Sequence, residues 1–278
     1  MGQNDSIDAA RTTPTAATPP APAQHEPEVL THIDGGVLTI VMNRPAAHNA
    51  MTAAMSALLA AALDRLDADD ELSVGVLTGA GASFCSGMDL KSFLRGERPE
   101  VAGRGFGGVT ERPPAKPLIA AVEGYALAGG FELVLACDLV VASDTAQFGL
   151  PEVRRGLIAG SGGLLRLGTQ IPPRIATEYA LTGRNMPCSE AYRWGLVNRI
   201  VGPGTSLAVA ESLARDISRN APLAVKESKR ILTQSADWPA EERWDRQRQS
   251  LQVIFGSADA SEGASAFAEK RLPVWQGR

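Results

Sequence analysis

Metal ligands, disulfide frameworks and aromatic surfaces are all scarce in this chain. Its three cysteines, Cys85, Cys137 and Cys188, are odd in number and widely spaced, which fits free thiols and predicts a cytoplasmic protein. Its three histidines, His25, His32 and His48, all fall near the N-terminus and make no Cys/His spacing for zinc, so no metal is expected. No apolar run is long enough and free enough of charge to cross a bilayer, and no membrane partner is expected. Basic residues are not in excess either. The formal net charge of −4 argues against nucleic acid as the main partner, although a small anionic ligand needs only a local basic patch. The opening, MGQNDSIDAARTTPTAATPPAPAQHEP, has no apolar h-region and is not a secretory signal. Its Ala, Pro and Thr content predicts a disordered tail over residues 1–26.

What the chain does contain is an alternation of strand and helix signals. Its 278 residues suit one large domain, or a domain with a smaller appendage. VLTHIDGGVLTIVMNRP reads as two β-rich runs around Asp34-Gly35-Gly36, a hairpin. Thr52 is placed to cap a helix in TAAMSALLAAALDRLDADD. A buried strand (SVGVLTGA), a turn (GASFCSG) and a helical start at Asp89-Leu90-Lys91 follow. Residues 95–114 are rich in Gly and Pro and predict a mobile loop. A second cycle runs from PLIAAVEG through the turn ALAGG into a helix near Phe131, then the short strands DLVVAS and AQFGL. From Pro172 the chain reads mostly as helices, WGLVNRIV excepted. The pattern is α/β.

Chemistry enters through Glu132, which stands one residue past Gly129-Gly130 in a run that is apolar until Asp138. A charged carboxylate buried there unpaired costs several kcal/mol. It is either a structural acid paired with an arginine or a group whose burial has a use. Glu152 follows Pro151, and Pro-Glu is also a common helix start. Gly129-Gly130 either permit close backbone packing or expose N–H groups at a helix N-terminus; with a second donor from CSGMDL, two such groups aimed at one oxygen make an oxyanion hole. GRGFGG at residues 103–108 matches G-x-G-x-x-G, but no strand precedes it and prolines follow, so a loop is the better reading. GSGG at residues 160–163 suggests a serine nucleophile at Ser161, without the strand–elbow–helix context or a following histidine.

MNRPAAHNAM, SFCSGMDLK, GYALAGGFELVLACDLVVAS, AQFGLPEVRRGLIAGSGGLLRL and TGRNMPCSEAYRWGLVNRIV together resemble the crotonase, or enoyl-CoA hydratase/isomerase, superfamily, in its order and spacing from Val29 onward. The closing EGASAFAEKRLPVWQGR is similar to the carnitinyl-CoA dehydratase (crotonobetainyl-CoA hydratase) branch, although Met88 stands where that branch is expected to carry tryptophan. The resemblance implies an α/β fold with a ββα-spiral, acyl-CoA-binding core over residues 27–204. It also implies a C-terminal helical region over residues 205–278 for self-association as a trimer or a dimer of trimers.

It implies too an acyl-CoA substrate and no separate cofactor. Oxyanion-hole N–H groups fall on Met88 and Gly129, catalytic carboxyls on Glu132 and Glu152, and CoA contacts on Lys91, Phe267 and Lys270. The implied reaction is reversible hydration of a 2-enoyl-CoA. Alternatives on the same scaffold are an isomerase, a decarboxylase or a thioester hydrolase. An idle acyl-CoA binder and a two-carboxylate glycoside hydrolase are the rivals from other classes; the low aromatic content, 5% of residues, fits the latter poorly.

Overall fold

The computed structural model describes Met1 and residues 26–278; the tail expected over residues 1–26 lies, but for its two ends, outside the described residues. Gly35 and Gly36 both adopt positive φ, 54° and 80°. They close the expected hairpin between β1 (Val29–Asp34) and β2 (Val37–Met42), which pair antiparallel. Thr52 caps α1 (Ala53–Ala68), its Oγ1 accepting from Met55 N at 3.0 Å. There follow β3 (Val74–Gly79), α2 (Leu90–Leu94), β4 (Glu100–Val101), β5 (Gly105–Phe106), β6 (Leu118–Val122) and β7 (Tyr125–Leu127). The chain continues through α3 (Gly129–Ala136), β8 (Leu139–Ser143), β9 (Gln147–Gly149), α4 (Gly163–Gln170), α5 (Pro173–Thr182), β10 (Met186–Pro187), α6 (Cys188–Arg193) and β11 (Arg199–Val201). Four helices close it: α7 (Ser206–Ser218), α8 (Pro222–Gln234), α9 (Arg243–Phe255) and α10 (Ala258–Glu269). Among the described residues no helix is long and apolar enough to cross a membrane.

One six-stranded sheet, in the order β1-β2-β3-β6-β8-β11, organises the molecule; every pairing after the first hairpin is parallel. A parallel sheet is buried on both faces, and side chains alternate between them. On one face Leu38, Ile40, Leu77, Ala120 and Val140 join the main core with Met55, Leu59 and Leu63 of α1. On the other, Val74, Val76, Ile119, Ala121 and Val141 pack with Ala210 and Ala214 of α7. The helix that opens the C-terminal region expected from residue 205 therefore lies on the sheet itself. A second sheet, β10-β9-β7, pairs β7 with β9 in parallel and β9 with β10 antiparallel.

Residues 95–114 are not the loose loop their composition predicts. They form the β4–β5 hairpin, and Phe106, Val109 and Thr110 are 3%, 0% and 1% exposed. Glycines 103, 105, 107 and 108 all adopt positive φ, so the turns those glycines permit fold the segment inward and do not leave it open. Arg104 fastens it, donating to Gly108 O at 2.8 Å and pairing with Asp64 of α1.

Lys229 ties α8 to this core. Its Nζ donates to Pro114 O at 2.8 Å and Lys116 O at 3.0 Å, and pairs with Asp138 Oδ2 at 2.6 Å. Asp138 Oδ2 also accepts from Leu118 N at 2.8 Å at the start of β6. Removing one partner of a largely buried pair leaves the other charge uncompensated. Lys229→Met is expected to lower stability by about 3 kcal/mol, read as a lower denaturant midpoint; an unchanged midpoint would show that the pair is dispensable.

Candidate active site

Two neighbouring parallel strands frame the site. β3 and β6 lie side by side, and their carboxyl ends are where open α/β sheets bind ligands. The segments leaving those ends are joined backbone to backbone, Cys85 N donating to Tyr125 O and Leu127 N to Cys85 O, both at 3.0 Å. Ala128 follows at φ 52°, ψ −130°. An L-residue holds such a conformation only against a strain of about 1–3 kcal/mol. Its N–H donates to Gly149 O at 2.8 Å, and its carbonyl accepts from Phe131 N and Glu132 N. This turn leaves the next N–H, that of Gly129 at the start of α3, with no acceptor among the described residues.

Gly87 lies opposite. A Cβ built on it would stand 2.8 Å from Ala128 Cβ and 3.3 Å from Gly129 N. The N–H of Met88, next along, likewise has no acceptor among the described residues. Both readings of Gly129-Gly130 therefore hold together. A Cβ at Gly130 would meet Cys85 O at 2.1 Å, and one at Gly129 would meet the Phe106 ring at 2.3 Å, so α3 packs as closely as glycine allows while its first N–H stays open.

All eight residues of α3 are buried, and Glu132, in its first turn, is 3% exposed. The compensation is not an arginine ion pair. Glu132 Oε1 accepts from Ser161 N at 2.7 Å and Gly163 N at 2.8 Å, at the N-terminus of α4, where unpaired N–H groups and the helix dipole favour an anion. Burial leaves the Glu132 carboxyl raised on balance, and those two N–H groups and the nearby Arg166 charge offset only part of that.

Glu152 arrives by a different route. β9 runs beside β7 and ends at Gly149, whose carbonyl holds Ala128; the 3-10 turn Pro151–Arg155 then begins. So the helix-start reading of Pro-Glu is correct, and the same turn brings Glu152 beside Glu132. Its Oε2 is buried without a hydrogen-bond partner among the described residues. Burial first, then the charge of Glu132, pushes its carboxyl up from 4.5 to about 7, against its own backbone N–H and Arg155. The site thus pairs a raised carboxyl that two backbone donors draw part-way toward ionisation with one that has no such donors on its buried oxygen and is raised to about 7.

Two free N–H groups beside such a pair could serve acyl-transfer or enolate-type chemistry, and comparison with known proteins identifies the family of the chain. The family model described as enoyl-CoA hydratase/isomerase matches residues 32–278. The chain belongs to the enoyl-CoA hydratase/isomerase family. A solved enoyl-CoA hydratase from Mycobacterium marinum is 58% identical, with a TM-score of 0.89 over 91% of this chain and 100% of that one. A carnitinyl-CoA hydratase structure from Mycobacterium avium is 44% identical, with a TM-score of 0.73 over 91% and 100%. The carnitinyl-CoA dehydratase of Proteus mirabilis is 43% identical over 252 residues, 88% of this chain and 96% of that protein. The resemblance read from the sequence motifs is borne out.

Of the residues singled out in the sequence, Met88, Gly129, Glu132 and Glu152 converge. Lys91 stands at the edge, exposed in the first turn of α2, its N–H donating to Asp89 Oδ1 at 3.0 Å. Phe267 is 86% exposed, and Lys270 is the left-handed cap of α10; α10 packs on α9 and the C-terminal residues, Gln276 N and Gly277 N donating to Asp259. Sequence reasoning missed Ser161 and Gly163. GSGG holds no nucleophile–histidine pair but does open a helix, and that N-terminus was the available signal for an anion's seat.

A raised carboxyl has a stability signature. Glu152 binds its proton more tightly folded than unfolded between pH 4.5 and about 7, so its favourable contribution is whole below 4.5 and is lost as pH rises through 7. The melting temperature of Glu152→Gln should therefore exceed that of the wild type by more at pH 8 than at pH 5. An equal gap at both pH values would contradict the raised value.

Proposed function

We propose that the protein adds water reversibly across the C2=C3 bond of a 2-enoyl-CoA thioester, and that it dehydrates the matching 3-hydroxyacyl-CoA in reverse. The observation that carries this reading is the unequal glutamate pair beside two free backbone N–H groups. Hydration needs a base for the water and an acid for carbon at the same moment. In our reading the N–H groups of Met88 and Gly129 receive the thioester oxygen and stabilise the enolate that forms as C3 is attacked. Glu132, ionised, takes a proton from the water as its oxygen bonds to C3. Glu152, protonated, delivers its proton to C2. One proton remains on the pair throughout, and only water and the thioester are consumed.

In this reading Lys91, exposed at the start of α2, contacts the CoA phosphates. Phe267, exposed on α10, and Lys270 at its cap suit a neighbour's CoA in a trimer or a dimer of trimers. The free thiols of Cys85, Cys137 and Cys188 support a cytoplasmic setting. Relatives named for carnitinyl-CoA support a second reading, a crotonobetainyl-CoA substrate. A trimethylammonium group favours an aromatic face, and Met88 offers none, so the uncharged enoyl chain is preferred.

Crotonyl-CoA hydration, followed by loss of the enoyl-thioester absorbance with crotonobetainyl-CoA run beside it, tests the proposal. Glu132→Gln and Glu152→Gln are each expected to lower kcat by about 10²- to 10⁴-fold. Full activity in Glu152→Gln with none in Glu132→Gln would point to an isomerase. The equilibrium involves no net proton, so kcat/KM must share one pH profile in both directions. It should fall on the alkaline side as the pair loses its last proton near pH 7. A profile flat through pH 8 would contradict the assignment.

A further inference from the structure

The direction of the Met88 N–H is imposed from outside the site. Met51, fully buried, bonds to both of its neighbours: Met51 N donates to Gly87 O at 2.8 Å, and Asp89 N donates to Met51 O at 3.0 Å. In such a bridge the residue between the two bonded neighbours turns its own N–H and C=O to the other side. The aim of Met88 therefore depends on where residues 51 and 89 are held.

Asp89 is held by its side chain. Oδ1 caps α2 through Lys91 N at 3.0 Å and Ser92 N at 3.1 Å, while Oδ2 receives Arg44 Nη2 at 2.9 Å. Arg44 reaches the other half of the bridge as well. Its Nη1 donates to Ala50 O, the carbonyl directly before Met51, and its Nε pairs with Glu28 at 3.2 Å. The Arg44 backbone N–H is in turn fixed by Asn49 Oδ1 at 2.9 Å. Asn49, fully buried, sends Nδ2 to Ala80 O at 2.9 Å and Ser83 O at 2.7 Å, on the segment that leads from β3 to Met88. One guanidinium thus grips both strands of the bridge.

We propose that Arg44 and Asp89 are a positioning pair that aims the Met88 N–H at the thioester oxygen, an inference that rests on Met88 serving as an oxyanion donor. Neither side chain meets the reacting atoms. Their effect is confined to the transition state, where the oxygen gains charge and donor geometry matters most.

Asp89→Asn keeps the size and a cap for α2 but weakens the grip on Arg44; Arg44→Lys keeps the charge and loses the fork. Both are expected to lower kcat for crotonyl-CoA about 10- to 100-fold with KM changed less than about threefold. The second readout is the infrared C=O stretch of [13C-carbonyl]butyryl-CoA bound to the protein, which donor hydrogen bonds shift to lower frequency. The wild type should show that shift and both variants a smaller one. Folded variants with wild-type kcat and an undiminished shift would overturn the proposal, as would a loss confined to melting temperature. Arg44→Lys decides the matter if Asp89→Asn does not fold. No shift in the wild type itself would instead remove the oxyanion reading on which the pair depends, and these failures are distinguishable.

Discussion

A carboxylate with almost no solvent is the constraint around which this molecule is arranged. Glu132 sits in a helix whose every residue is buried, and two N–H groups of a second helix terminus stabilise its negative charge. For that to happen α4 must begin against α3, and a Cβ at Gly163 would crowd the carboxylate, standing 3.0 Å from Glu132 Oε1. α3 must itself start in the right place. That start depends on Ala128 in a conformation better suited to glycine and on Gly130 lying against the Cys85 carbonyl. The parallel neighbours β3 and β6 bring the two turns together, and sheet packing on both faces holds them.

The same burial acts differently on the second carboxyl. Glu152 has no pair of backbone donors on its buried oxygen, and it faces the charge of Glu132. Its ionised form is therefore disfavoured, and two residues of identical chemistry are shifted to different degrees by their surroundings. The arrangement stores free energy in a strained residue and a raised carboxyl, which is where enzymes typically sacrifice stability for function. The sheet, the α1 core and the Lys229–Asp138 pair supply the rigidity against which that strain is held.

Local signals carried the regular parts of the fold. The Gly35-Gly36 hairpin, the Thr52 cap and the Asp89 cap each depend on residues within a few positions, and all three are present as expected. Residues 95–114 failed because their order is tertiary: Phe106 is buried beneath Gly129, more than twenty positions away, and nothing in a Gly-rich segment announces that partner. The seat of Glu132 was hidden for the same reason, with donors 29 and 31 residues distant. Glu132 was conspicuous as an acid in an apolar run. Glu152 reads locally as an ordinary helix start, which it is, and the resemblance to a family is what tips it from that reading to a catalytic one. The membership is now shown by the family match and by structures up to 58% identical among those compared.

The central claim is that burial beside Glu132 keeps Glu152 protonated near neutrality. Difference infrared spectroscopy of the carboxyl C=O band, with the substrate-free protein titrated from pH 5 to pH 9, tests it directly. The account predicts a protonated carboxyl that titrates with a midpoint near 7 and whose band is absent from Glu152→Gln. A spectrum in which no carboxyl band survives above pH 6, or in which the band persists in Glu152→Gln, would contradict it.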